Sequence, residues 1–140
     1  MIMRLVKGIL EELELKNPEI SILLLDDSQI TELNKKYLNR KSPTDVISFP
    51  MLDDSFPNPQ LQVLGDVVIS VETAERQALG RKCRLYDEII VLLIHGILHL
   101  LGHDHKESAS KKKMMLHREK EIFKKLMEDK KISSLLKNDK

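Results

Sequence analysis

Residues 85–105 run LYDEIIVLLIHGILHLLGHDH, and the reading of the whole chain turns on them. From Leu85 to Leu101 apolar side chains fall nearly all the way round a helical wheel. A helix of that kind is expected to be buried on every side, at the centre of a core. It falls short of the roughly 18–20 apolar residues that span a bilayer, and no other apolar run in the chain is longer. Within it, His95 and His99 stand at i and i+4, so both imidazoles project from one face with Cβ atoms about 5–6 Å apart.

Two imidazoles so placed can reach one metal ion at about 2.0–2.1 Å, and neutral imidazole suits zinc, cobalt and nickel. A third ligand must return to the same face. On a continuing helix His103 would stand about 12 Å from His95 along the axis, too far to share a metal. The chain must therefore turn, and Gly102 is the residue that tolerates the positive φ this requires. The resulting spacing, H-x-x-x-H-x-x-G-x-x-H, matches the zinc-ligand spacing of the metzincin proteases and nominates His105 as third ligand, with His103 as its neighbour. From a given His, three further matches arise by chance about once in 20,000, which disfavours an apolar core helix that merely carries satisfied histidines. Three protein ligands leave one coordination position open, as catalytic zinc sites do.

One position departs from the protease pattern. Where a zinc protease carries its Glu base, this chain has Gly96, so peptidase chemistry would need a base from elsewhere. A phosphodiester makes no such demand. It can be attacked by a metal-activated water or by its own 2′-hydroxyl. Asp104 is the nearest carboxylate, able to orient a ligand histidine or act as base, or else to cap the turn after Gly102. Asp45 and Asp66, beside expected strands, read as structural. So do His117 as a surface residue, Cys83 as an ordinary thiol, and Met114 and Met115 as core packing.

Working outward, residues 7–16 place Ile9, Leu10 and Leu13 at helical spacing, and Pro18 is expected to close that helix. Residues 21–27 read as a buried strand. Ser28 is a candidate N-cap for a helix over 29–38 with Ile30, Leu33, Tyr37 and Leu38 on its apolar side. Strands are expected at 45–49 and 64–70, with a proline- and acid-rich surface loop between them over 50–60. A helix follows over 71–79, stopped by Gly80, and an amphipathic helix covers 108–127. Alternation of this kind indicates an α/β or α+β layer fold. Residues 1–130 form one expected domain, and 131–140 a frayed basic tail.

Composition agrees. At 140 residues, 41% hydrophobic and 32% charged, the chain is globular rather than disordered or fibrous. The single cysteine excludes an intrachain disulfide and fits a reducing cytosol, and the early acidic residues argue against a signal peptide. Net charge is +1, but residues 106–140 carry +6 and the remainder −5. A basic end of this kind either meets a polyanion or is a solvated face.

HGILHLLGHDH resembles the signature H-G-x-L-H-L-x-G-x-D-H of the YbeY family of bacterial endoribonucleases. Pro43–Pro50 (PTDVISFP), Leu64–Ser70 (LGDVVIS) and Leu33–Tyr37 (LNKKY, against L-N-x-x-Y) are similar to further stretches of that family. The resemblance runs in order from about residue 20 to 128. It implies an α/β (α+β) fold in which a small mixed sheet is flanked by helices, with the metal site at the C-terminal end of the central buried helix. It implies one zinc on His95, His99 and His105. The implied activity is single-strand-specific endoribonuclease cleavage in maturation of the 3′ end of small-subunit ribosomal RNA and in ribosome quality control, in the cytoplasm. After L-N-x-x-Y the family usually has an Arg that holds the RNA backbone; here Leu38 stands there, and Arg40 and Lys41 follow as substitutes. The aromatic residue usual before the Asp of the signature is His103 here. Arg40, Lys41 and Lys111–Lys113 are candidate phosphate contacts by charge. Two other readings are a metallohydrolase of another substrate class, such as peptides, and a non-catalytic ribosome-binding module in which zinc only holds the turn.

Overall fold

The strand β3 (Gln62–Ser70) is the one on which the sheet is assembled. In the computed structural model, which describes residues 2–15, 18–51, 62–102, 109–130, 132 and 134, β3 lies between β1 (Pro18–Leu25) and β2 (Val46–Pro50). The β1–β3 pairing is parallel and the β2–β3 pairing antiparallel, so the sheet is small and mixed, as expected. Among the described residues five helices flank it: α1 (Ile2–Glu12), α2 (Asp27–Leu38), α3 (Val71–Arg81), α4 (Leu85–Leu100) and α5 (Ala109–Glu128).

Successive side chains of a strand point to opposite faces, and the two faces here have different covers. One carries Ile20, Ile22, Val46, Val67 and Ile69, packed into the main core with α4. The other carries Ile47 and Val68, covered by Ile30 and Leu33 of α2. α4 is enclosed by the sheet, α1, α3 and α5, which is why Ile90, Leu93, Ile94, Ile97 and Leu98 are all buried. The helix that reads as apolar all round is thus the core of the fold.

Several local expectations are corrected. α1 begins at Ile2, because Leu5 and Val6 extend its buried stripe, and it ends in a turn at Glu14 with φ 54°. Pro18 opens β1 rather than closing a helix. β1 is an edge strand, so Leu23 (44%) and Leu24 (43%) stay substantially exposed where a buried strand was expected. The N-cap of α2 is Asp26, not Ser28. Asp26 Oδ1 accepts from Gln29 N–H at 2.7 Å and the Gln29 side chain accepts from Asp26 N–H at 3.2 Å, a reciprocal pair that Ser28, adjacent to Gln29, is two residues too close to make. Tyr37 and Leu38 are exposed rather than part of the covered stripe, although Tyr37 still touches Phe49 of β2 edge-on. α3 passes through Gly80 and stops at Lys82 (φ 56°), where the chain bonds back to the Ala78 and Leu79 carbonyls. On α5, Met115, Ile122 and Leu126 are buried, whereas Met114, one position round the helix, is exposed. Ile132, inside the stretch read as a tail, is buried in the same cluster. Most of the 50–60 loop lies outside the described residues.

Two features tie the layers together. Asp27 accepts from Ser70 Oγ and Thr73 Oγ1, each at 2.6 Å, and pairs with Arg76 at 2.8 Å. This joins the start of α2 to the end of β3 and the first turn of α3. The second is the approach of α4 to the sheet at Gly96. A Cβ there would lie 2.7 Å from Val67 Cγ1, and Ser48 Oγ donates to the Gly96 carbonyl at 2.8 Å.

The hydroxyl donors, above all Ser70, hold the Asp27 carboxyl at about 2, below its ordinary 3.8. Its contribution is therefore complete above about pH 4 and is lost as pH falls towards 2. The melting-temperature gap between wild type and Asp27→Asn should be widest above pH 4 and close towards pH 2; a gap independent of pH would contradict this. In an exposed helix Gly→Ala stabilises by about 1 kcal/mol. At Gly96 the stiff, buried Val67 cannot retreat, so Gly96→Ala should instead destabilise by about 1–3 kcal/mol in denaturant titration.

Candidate metal centre

The last two turns of α4 present His95 and His99 together. Their Nε2 atoms are 3.0 Å apart and their ring centroids 4.5 Å apart. Two donors bound tetrahedrally at about 2.0–2.1 Å sit about 3.3 Å from one another. A few tenths of an ångström of outward motion would therefore let both nitrogens bind one ion.

The other nitrogen of His95 is also engaged. His95 Nδ1–H donates to Glu119 Oε1 of α5 at 2.5 Å, and the Glu119 side chain is 14% exposed. A carboxylate on Nδ1 fixes the tautomer that leaves the lone pair on Nε2 and holds the ring in one orientation. This is the arrangement in which ligating histidines are ordinarily held, and the donor set fits zinc, cobalt or nickel.

After Leu100 the helix ends as its spacing requires. Gly102 has φ 89° and its N–H donates to the His99 carbonyl at 3.0 Å. Among the described residues nothing lies within 4 Å of where its Cβ would be, and the positive φ by itself calls for glycine there. His103, Asp104 and His105 lie outside the described residues. Among the described residues no group of three His, Cys, Asp or Glu side chains could hold a metal ion.

Gly96 faces the sheet, away from any solvent-filled space. The helix position that holds the base in a zinc protease is here occupied by the packing contact with Val67, and a glutamate would not fit.

The remaining sequence candidates separate by their contacts. Asp45 is a turn residue: its carboxylate accepts from Val46 N–H at 2.8 Å and from Gln77 Nε2 at 3.3 Å. His117 is 83% exposed. Partial desolvation and the Glu88 and Asp87 charges push the Cys83 thiol up, the opposite of an activated thiolate. Arg40 donates its backbone N–H to the Asn34 carbonyl at 3.2 Å, while its exposed side chain makes no ion pair among the described residues and is not brought against either imidazole. Lys41 and Lys111–Lys113 are exposed.

Sequence reasoning missed Glu119. A signal for it existed: Met115, Ile122 and Leu126 are buried at i, i+7 and i+11, and Glu119 at i+4 stands on the same stripe. A carboxylate on an inward-facing stripe needs a partner.

Known proteins of similar sequence and fold extend these observations. The family model for Endoribonuclease YbeY matches residues 1–127. A curated relative of that name from Persephonella marina is 48% identical over 118 residues, covering 84% of this chain and 76% of its own. One from Aquifex aeolicus is 44% identical over 117 residues, with the same coverage of each chain. The solution structure of a Thermotoga maritima protein, 24% identical, superposes with a TM-score of 0.62 over 91% of this chain and 84% of its own, and so shares the fold. With a family model spanning most of its length and relatives above 40% identity, this chain belongs to the YbeY family.

Proposed function

We propose that this protein is a metal-dependent endoribonuclease that cleaves single-stranded RNA. Its substrate is ribosomal RNA of the small subunit, at the stage of 3′-end maturation and ribosome quality control in the cytoplasm. The observation that carries the proposal is the convergence of the His95 and His99 Nε2 atoms, with Glu119 holding His95, in a chain of the endoribonuclease YbeY family. Zinc is the proposed ion, with cobalt and nickel compatible, and His105 the proposed third ligand. When bound, such an ion acts as a Lewis acid on the phosphodiester and offsets the charge that develops there.

The protein's own groups supply the rest. His95 and His99 fix the position of the ion relative to α4, and Glu119 keeps His95 in its ligating tautomer. Asp104, next to the proposed third ligand, is assigned to orient that ligand or to accept a proton from the nucleophile. Arg40, Lys41 and the lysines at the start of α5 are cations for the phosphate backbone. The packing of Gly96 against Val67 speaks against a peptidase, because it leaves no room on α4 for a base.

Zinc-loaded wild type should cut a labelled single-stranded RNA, and His99→Ala, purified identically, should not. Equal cutting by both would place the activity away from the metal centre. A folded, zinc-loaded wild type that cuts no RNA, ribosomal substrate included, would favour a binding module. Replacement of Glu119 by Ala should weaken zinc binding on the order of 10–100-fold in competition with a chromophoric chelator, with Glu119→Gln in between. Unchanged affinity would remove Glu119 from the centre.

A further inference from the structure

α2 covers only part of the second face of the sheet. Beyond Ile30 the face opens into a cleft of about 360 Å³ lined by Leu23, Leu33, Tyr37, Phe49, Asp66 and Val68. The register puts Asp66 beside Phe49 of β2, and Val68 beside Leu23 of β1. Tyr37 stands edge-on to Phe49, with centroids 5.4 Å apart at 69°, and is 56% exposed. Asp66 is half-buried and makes no hydrogen bond or ion pair among the described residues. Lys36 Nζ lies over one face of the Tyr37 ring, 5.1 Å from its centroid, so that a base would stack on the other face, and Lys35 and Lys36 line the groove that continues the cleft.

These groups together describe a ligand. Exposed aromatic rings offer a flat face for stacking. A half-buried carboxylate without a partner calls for N–H donors. Cations at the rim match phosphates. A nucleotide of a single-stranded RNA meets all three demands: its base stacks, its Watson–Crick edge donates, and its phosphates meet the lysines. Among the four bases only guanine places two adjacent donors, N1–H and N2–H, against the two oxygens of a carboxylate. Uracil would set carbonyl oxygens beside it.

The cleft is also joined to the metal centre. β2 is an edge strand. Phe49 faces the cleft, and its neighbour Ser48 faces α4 and donates to the carbonyl of Gly96, the residue after His95. One edge strand thus separates the cleft from the imidazoles.

We infer that this cleft binds a guanine base of the RNA substrate, stacked on Tyr37 and read by Asp66, while the strand turns over the β2 edge towards His95 and His99. The inference rests on the nuclease reading above and adds a base preference to it.

The test uses zinc-loaded protein and short oligouridine RNAs carrying one central guanosine, inosine or uridine. Binding is read by fluorescence anisotropy on 2′-O-methyl versions, and cleavage on unmodified ones. Inosine lacks only the N2 amino group. Wild type should bind the guanosine RNA about tenfold more tightly than the inosine RNA. Asp66→Asn should bring that ratio to within twofold without weakening the uridine RNA. Tyr37→Ala should weaken all three about tenfold, and Tyr37→Phe should restore them. Each variant is compared at a melting temperature near that of wild type, so that unfolding does not imitate loss of binding. A wild type that cuts RNA but treats guanosine and inosine alike overturns this inference and leaves the nuclease standing. So does a preference that survives in Asp66→Asn. A wild type that neither binds nor cuts any single-stranded RNA overturns both.

Discussion

The close approach of α4 to the sheet at Gly96 is the constraint on which the arrangement depends. A helix that is apolar on all sides gains as much from burial in one rotation about its axis as in another. Hydrophobicity alone therefore does not decide which way the histidines of such a helix point. The contact at Gly96 does. Only a residue without a Cβ can meet Val67 at this distance, and the Ser48 hydroxyl finds its acceptor only when the Gly96 carbonyl is turned to β2. With that rotation set, His95 and His99 lie together on the side where α5 passes, and Glu119 meets His95.

Two kinds of carboxylate stand among the described residues inside the fold, and the difference is informative. Asp27 is saturated: two hydroxyls and a guanidinium satisfy it, and it serves to hold three elements in place. Glu88, nearly inaccessible, is likewise met through both oxygens by Arg81. Glu119 instead lies on an otherwise apolar stripe and has as its partner a histidine whose second nitrogen faces another histidine. A carboxylate in that position costs desolvation that a leucine would not, so its presence is accounted for by what it does to His95.

The second face of the sheet carries the same lesson at lower burial. α2 is held to the sheet through Ile30 and Leu33, and its last turn, with Tyr37 and Leu38, overhangs the covered area. The open surface there includes two of the chain's five aromatic rings and an acid that has no partner among the described residues.

Much of this was legible without coordinates, wherever the information is local. The burial of α4, the common face of His95 and His99 and the turn at Gly102 follow from helical period and the conformational range of glycine, each of which acts over a few residues, whereas the small mixed sheet was legible only through the family resemblance. The exact caps were less legible, because Asp26 and Ser28 are both good N-caps and only the reciprocal bonds with Gln29 choose between them. What the sequence determined by itself is the identity and spacing of the candidate ligands. What only the tertiary structure decided is their surroundings: the Glu119 carboxylate, 24 residues from His95, the sheet that excludes a base at Gly96, and the cleft between Tyr37 and Asp66. Such contacts arise because separate elements pack to bury apolar surface, and no periodicity within one element records which polar groups that packing brings face to face.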